Sequence, residues 1–265
     1  MRPQEPDSPQ RMRRLPEGPG ASNAAQAQEP TAPPSRFSII IPALNEESAL
    51  PETLSHLNVF REVADVIVVD GGSRDETVRL AREAGARVLE ATRGRGPQMN
   101  TGARVATTDN LLFLHADCRL PLNAFVAAQE VFDRGNTAGL FAIDFGSAHV
   151  LLRGMSRLSR WPSRWTQFGE GALFMKRSTF EAVGGFPDWP LMEDVEMLRR
   201  LRRRAQLGSA QGTVRASPRR FLENGIWRQT MRNVFCYTMF HWGVQPQHLV
   251  RWYTGAPAQG VTEQP

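Results

Sequence analysis

The sequence predicts an α/β protein: an open, mostly parallel sheet covered by helices. From Phe37 onward, short apolar runs rich in β-branched residues alternate with segments of helical periodicity. Residues able to do chemistry cluster just after the runs that read as strands, which is where such sheets bind ligands. No run reaches the roughly 18 apolar residues of a membrane span, so the chain reads as soluble or peripheral.

Taken in order, Phe37 to Ile41 is an apolar strand stopped by Pro42. Ser48 to Phe60 carries Leu50, Leu54 and Leu57 at helical spacing, and Val66 to Val69 is a second buried strand. Asp70-Gly71-Gly72-Ser73 turns the chain into a helix over Asp75 to Ala84, with Val78 and Leu80 expected inward and Gly85 as its stop. Arg87 to Glu90 is a third strand, Pro97 to Val105 a helix opened by proline, and Leu111 to His115 a fourth strand. Beyond Asp117 the rhythm loosens. Helices are expected over Leu122 to Asp133, His149 to Trp161 and Glu193 to Arg204, strands over Leu140 to Phe145 and Ala172 to Met175, and a helical closing segment over Arg219 to Tyr253.

Residues 1–36 are rich in Pro, Gln, Ala, Glu and Arg without apolar periodicity, so they read as a disordered arm, and 255–265 as a disordered tail. One folded domain is expected over 37–254. The arm has neither the apolar centre of a secretory signal nor the acid-poor composition of a transit peptide, and Cys118 and Cys236 form no C-x-x-C pair, which fits a reducing cytoplasm. The net charge of +5 is spread along the chain, with Lys176 the only lysine, and does not indicate a nucleic-acid partner. The run Arg199, Arg200, Arg202, Arg203, Arg204 reads as a solvated helix face, with an anionic lipid surface as the functional alternative.

The candidate chemistry comes from carboxylates at strand and helix ends. Asp117, in His115-Ala116-Asp117, would hold a divalent cation against two phosphate oxygens, with Arg93 or Arg95 adding fixed positive charge. Asp194, or as the second choice Glu193, would take a proton from an attacking acceptor hydroxyl, work worth about 10²- to 10⁴-fold. Each has a bland alternative: Asp70 as a turn residue, Asp117 as a helix cap, Glu193 and Asp194 as ordinary acids of a first helical turn, and Arg93-Gly94-Arg95-Gly96 as a solvated loop.

Together, Ser38-Ile39-Ile40-Ile41-Pro42-Ala43-Leu44-Asn45-Glu46, Val66 to Asp75, Leu114 to Asp117, and Gly184-Gly185-Phe186 through Glu193-Asp194 resemble the family 2 glycosyltransferases of GT-A fold. Arg93-Gly94-Arg95-Gly96-Pro97-Gln98-Met99-Asn100-Thr101-Gly102 is similar to a segment of a bacterial subgroup. The resemblance implies a GT-A-like sheet forming the nucleotide-binding half, a smaller acceptor-side region and a helical C-terminus. It also implies inverting transfer of a hexose from a nucleotide diphosphate sugar, assisted by Mn²⁺ or Mg²⁺. Carried over by position, Pro42, Ala43, Asn45 and Glu46 would line the nucleotide, Asp70 would read the base, and Arg95, Asn100 and Ala116 would approach the donor. Asp117 would bind metal with His115, Asp194 of the Glu193-Asp194 pair would be the base, and Glu170 would meet the acceptor.

Two departures stand out: His115 occupies the place of the first aspartate of a D-x-D motif, and Gly71 that of a second aspartate after Asp70. Rival readings fit less well. A nucleotidyltransferase would carry a glycine-rich loop with lysine after the first strand, a dehydrogenase G-x-G-x-x-G there, and Pro42 to Glu47 contains neither. A non-catalytic binding protein of the same fold is favoured by His115 and opposed by the retained Asp117, Glu193 and Asp194. In the C-terminal segment, Trp227, Met231, Val234, Phe235, Thr238, Met239 and Trp242 form an apolar stripe broken by Arg228 and Arg232. Its ordinary reading is core packing; its functional one is a face meeting a lipid or carotenoid acceptor at the inner membrane surface.

Overall fold

The computed structural model describes residues 36–161 and 172–254, and in it eight strands form one sheet of order β3-β2-β1-β4-β7-β6-β8-β5. The strands are β1 (Phe37–Ala43), β2 (Ala64–Asp70), β3 (Arg87–Glu90), β4 (Asn110–Phe113), β5 (Cys118–Arg119), β6 (Ala138–Asp144), β7 (Leu173–Lys176) and β8 (Leu207–Ala216). The helices are α1 (Leu50–Leu57), α2 (Thr77–Glu83), α3 (Arg95–Val105), α4 (Ala124–Asp133), α5 (Val150–Ser159), α6 (Arg177–Ala182), α7 (Glu193–Arg204), α8 (Arg219–Asn224), α9 (Ile226–His241) and α10 (Pro246–Thr254).

The period-two alternation of β1 explains why it is buried on both faces. Phe37, Ile39 and Ile41 enter one apolar layer with Leu50, Leu54 and Leu57 of α1 and Phe125 of α4. Ile40 enters the opposite layer with Met99 and Ala103 of α3 and Leu198 and Leu201 of α7. Each fully buried Ile or Leu contributes about 1.5–3 kcal/mol of burial energy, so both layers lock β1 in register. That register sets the site: β1 and β2 run parallel from Phe37↔Ala64 to Ala43↔Asp70, and β2 pairs Asp70 with Glu90 of β3. Leu114 N–H donates to Ile40 O at 3.0 Å, carrying the chain after β4 along β1 toward the same edge.

Several boundaries differ from the expectations. Pro42 does not stop β1, which continues through Ala43, and the helix expected from Pro97 begins at Arg95. In α2 the buried residues are Thr77 and Ala81, whereas Val78 and Leu80 are half-buried. The short β5, the helix α6 and the long β8 were not expected; β8 buries only Ala210, Val214 and Ala216, and its Gly, Ser and Gln leave no apolar run to read. The 199–204 arginines do form a largely exposed helix face, except that half-buried Arg200 reaches the Gly185 carbonyl at 3.1 Å. The expected arm and tail lie outside the described residues, apart from Arg36, which pairs with Asp65.

Candidate active site

The loops after β1 and β2 are stitched together by their own side chains. Asn45 sits at a φ of 54°, accepts from Arg74 N–H at 2.9 Å and donates its backbone N–H to Ser73 Oγ. Glu46 N–H donates to Thr77 Oγ1 at 2.8 Å, and Glu47 exchanges bonds with Asp75 and Glu76 N–H. Asp70 is buried at the end of β2, where its Oδ2 accepts from Gly72 and Ser73 N–H, both at 2.9 Å, and its Oδ1 from Ser73 Oγ. The turn role of Asp70 is therefore in place, and a base contact would have to use the lone pairs left over.

The glycine-rich segment divides into framework and face. Gln98 is buried and its Nε2 donates to Ala43 O at 2.8 Å and Val69 O at 2.7 Å, tying together the ends of β1 and β2. Asn100 closes a two-way clasp on Phe186: its Nδ2 donates to Phe186 O at 2.8 Å and its Oδ1 accepts from Phe186 N–H at 2.9 Å. Both polar ends of Asn100 thus hold the Gly184-Gly185-Phe186 turn, and the donor contact implied by the resemblance would have to use its second N–H or its second lone pair. At Gly96 an added Cβ would lie 2.2 Å from Pro187 O, so only glycine lets α3 approach that turn. Arg95 is the member of the segment that faces the site.

On the opposite wall the chain enters α7 through Met192, whose left-handed φ of 65° is rare for a non-glycine residue. Met192 and Asn45 are the two such residues described, and both adjoin the candidate site. The bend directs Glu193 inward, where it is 3 % exposed and meets Arg95 at 3.5 Å. Burial, reinforced by the charge of Asp194 and opposed by Arg95, pushes the Glu193 carboxyl up to about 7. Asp194 is half-buried, accepts from Val195 N–H at 2.7 Å, and lines one cavity with Glu193, His115 and Pro42.

His115 also lines an adjoining cavity with Asp117, Arg95, Arg220 and Asn233. Ala116 between them is buried and its carbonyl accepts from Thr53 Oγ1 at 2.8 Å, which fixes the backbone so that its two polar neighbours flank it. Among the described residues no three His, Cys, Asp or Glu side chains gather into a metal cage. One imidazole and one carboxylate are too few to cage a cation by themselves, and they fit one that draws its remaining ligands from phosphate oxygens, a mixed nitrogen and oxygen set open to Mn²⁺.

The strand ends thus bring Pro42, Ala43, Asn45, Glu46, Asp70, Arg95, Ala116, His115 and Asp117 to one edge of the sheet, with Glu193 and Asp194 facing it. Glu170 lies outside the described residues. Sequence reasoning missed Arg219, which bonds Glu46 and Ser48 at 2.8 Å each, and Arg220 beside it. Their only signal was a basic pair opening a helix that also carries a buried phenylalanine.

A family model described as "Glycosyl transferase family 2" matches residues 38–184. Among known proteins, a 4,4'-diaponeurosporenoate glycosyltransferase of Staphylococcus haemolyticus is 34% identical over 146 residues, covering 52% of this chain and 38% of the relative. A dolichyl-phosphate beta-glucosyltransferase of Drosophila melanogaster is 38% identical over 104 residues, covering 32% of each chain. The matches thus span about a third of these relatives' length. Among solved structures, a mannosyltransferase from Pyrobaculum calidifontis in complex with GDP-Man and Mn²⁺ superposes with a TM-score of 0.58 at 20% identity, over 83% of this chain and 64% of that one. That likeness is one of fold, and it matches the expected GT-A-like sheet with helices on its faces.

Proposed function

This chain belongs to glycosyl transferase family 2, and we propose that its site moves a hexose from a nucleotide diphosphate sugar, with inversion, to a hydroxyl or carboxyl group of a lipid-like acceptor. The observation that carries the reading is the convergence on one sheet edge of the Pro42 to Glu46 rim, His115 and Asp117 in one cavity, and the Glu193-Asp194 pair in the cavity that His115 shares.

In this reading the rim from Pro42 to Glu46, with Asp70, receives the nucleoside. Asp117 with His115 would hold a divalent cation, Mn²⁺ or Mg²⁺, which would supply positive charge to the donor diphosphate. Arg95, which meets Glu193 and also lines the Asp117 cavity, would add positive charge beside the diphosphate. The acceptor oxygen attacks the anomeric carbon and gives its proton to the Asp194 carboxylate, while the bond from that carbon to the diphosphate breaks and its electron pair leaves on the nucleoside diphosphate. Attack opposite the leaving group inverts the anomeric centre.

The acceptor side is read from α9 and α10. Trp227, Met231, Val234, Phe235 and Trp242 of this segment are exposed, and Phe235 meets exposed Trp252 of α10 with ring centroids 5.6 Å apart. Arg228 and Arg251 are exposed on the same helices, and no Asp or Glu occurs from 224 to 254. An aromatic, cationic, acid-free face suits the headgroup layer of an anionic membrane, placing a lipid or carotenoid acceptor within reach at the cytoplasmic face. Among the described residues no helix is long and apolar enough to cross a membrane.

The test is a thermal-shift panel of UDP-, GDP-, CDP- and TDP-sugars with and without Mn²⁺. A metal-dependent rise with one donor supports the reading by mass action, and a uniform absence of shifts contradicts it.

A further inference from the structure

The helices after β8 contribute to the donor side as well as the acceptor side. Consecutive arginines at the start of α8 point to different parts of the site. Arg219 bonds Glu46 at 2.8 Å, in the loop that rims the nucleotide, and Arg220 lines the cavity that holds Asp117, His115 and Arg95. Arg220 is exposed to that cavity and is held from behind by Tyr253 of α10, its guanidinium donating to Tyr253 Oη at 3.1 Å.

Tyr253 is part of a buried amide network. Gln229 is 1 % exposed; its Oε1 accepts from Asn224 Nδ2 at 3.0 Å, and its Nε2 donates to Asn233 Oδ1 at 2.7 Å and reaches Tyr253 Oη at 3.4 Å. A buried amide must have its polar atoms satisfied, and this one does so by joining α8, α9 and α10. The two ends of the network, Asn233 and the Tyr253-held Arg220, both open on the Asp117 cavity. Arg95 and Arg220 there outnumber the single carboxylate, Asp117, even before a cation is bound. That is the charge balance an entering diphosphate requires, and the charge on it grows as the glycosyl bond breaks.

We infer that Arg220 binds the donor diphosphate, with Gln229 and Tyr253 as positioning residues and Arg219 clasping the nucleotide rim through Glu46. This rests on the nucleotide-sugar reading above. Binding of UDP, GDP, UMP and GMP, each with and without Mn²⁺, is measured by calorimetry on the full chain and on Arg220→Ala, Arg220→Lys and Tyr253→Phe. For whichever base the wild type takes, Arg220→Ala weakens the diphosphate about 10- to 100-fold and the monophosphate by less than about 3-fold, so their ratio collapses. Arg220→Lys recovers part of that ratio, and Tyr253→Phe lowers it about 3-fold while leaving monophosphate affinity within about 2-fold of wild type. If the wild type prefers the diphosphate and Arg220→Ala keeps that preference, the assignment of Arg220 is overturned while the donor reading stands. If the wild type binds none of the four nucleotides, the donor reading falls and this inference with it.

Discussion

Replacing Glu193 with Gln should stabilise the protein at alkaline pH and flatten part of its pH dependence. Glu193 is almost wholly buried, it meets the Arg95 guanidinium at a long 3.5 Å, and its carboxyl is raised from 4.5 to about 7 mainly by burial. Between those two values the folded chain holds a proton that the unfolded chain has released. Stability therefore falls as pH rises from about 4.5 to 7 and levels off above, because the folded state binds more protons across that window. The shift corresponds to at most about 3 kcal/mol. Subtracting the Arg95 pair that Gln would weaken leaves a gain of about 2 kcal/mol at pH 8, or roughly 4–8 °C for a chain of this size. The assay is thermal melting of wild type and Glu193→Gln from pH 5 to 8.5. The variant should match or fall below the wild type at pH 5 and exceed it at pH 8; parallel curves across the range would refute the buried, proton-holding carboxyl.

Three further outcomes follow from the same geometry. Gln98→Leu removes the amide that donates to both the Val69 and the Ala43 carbonyls, so it should cost about 1–3 kcal/mol and weaken nucleotide binding; a melting temperature within 1 °C of wild type would exclude the strand-tying role. Asp117→Ala should reduce the gain in nucleoside diphosphate affinity given by Mn²⁺ to less than about 3-fold without altering affinity in its absence, and a preserved Mn²⁺ effect in calorimetry would remove Asp117 from the cation site. Arg228→Glu combined with Arg232→Glu should abolish co-sedimentation with phosphatidylglycerol vesicles and leave the neutral-vesicle result unchanged; pelleting of the wild type without vesicles would mean self-association instead.

The first half of the fold was legible because β1, β2 and β4 are buried on both faces and so read as unbroken apolar runs. β8 hid because it buries small residues, with Gly208 so close to Val131 that an added Cβ would lie 2.6 Å from it. The positions of Asp70, which ends β2, and Asp117, just beyond β4, were readable because each carboxylate closes or follows an apolar run. A motif in the glycine-rich segment also serves the framework in a way no local pattern announces: the Gln98 amide ties β1 to β2, and the Asn100 amide clasps Phe186. No local pattern could have shown that Arg219 reaches Glu46, a contact across 173 residues. The αL backbone at Met192 was equally silent, since methionine gives no sign of a left-handed turn.

The most direct measurement of the central claim is an NMR time course of the anomeric proton, with the protein, the donor selected by thermal shift and Mn²⁺, run for wild type and Asp194→Asn. Catalysis by Asp194 gives loss of the donor signal, appearance of a sugar product of opposite anomeric configuration even when water is the slow acceptor, and a rate at least about 10²-fold lower in Asp194→Asn with unchanged nucleoside diphosphate affinity. A product that keeps the donor's configuration, or equal rates in the two proteins, would contradict it.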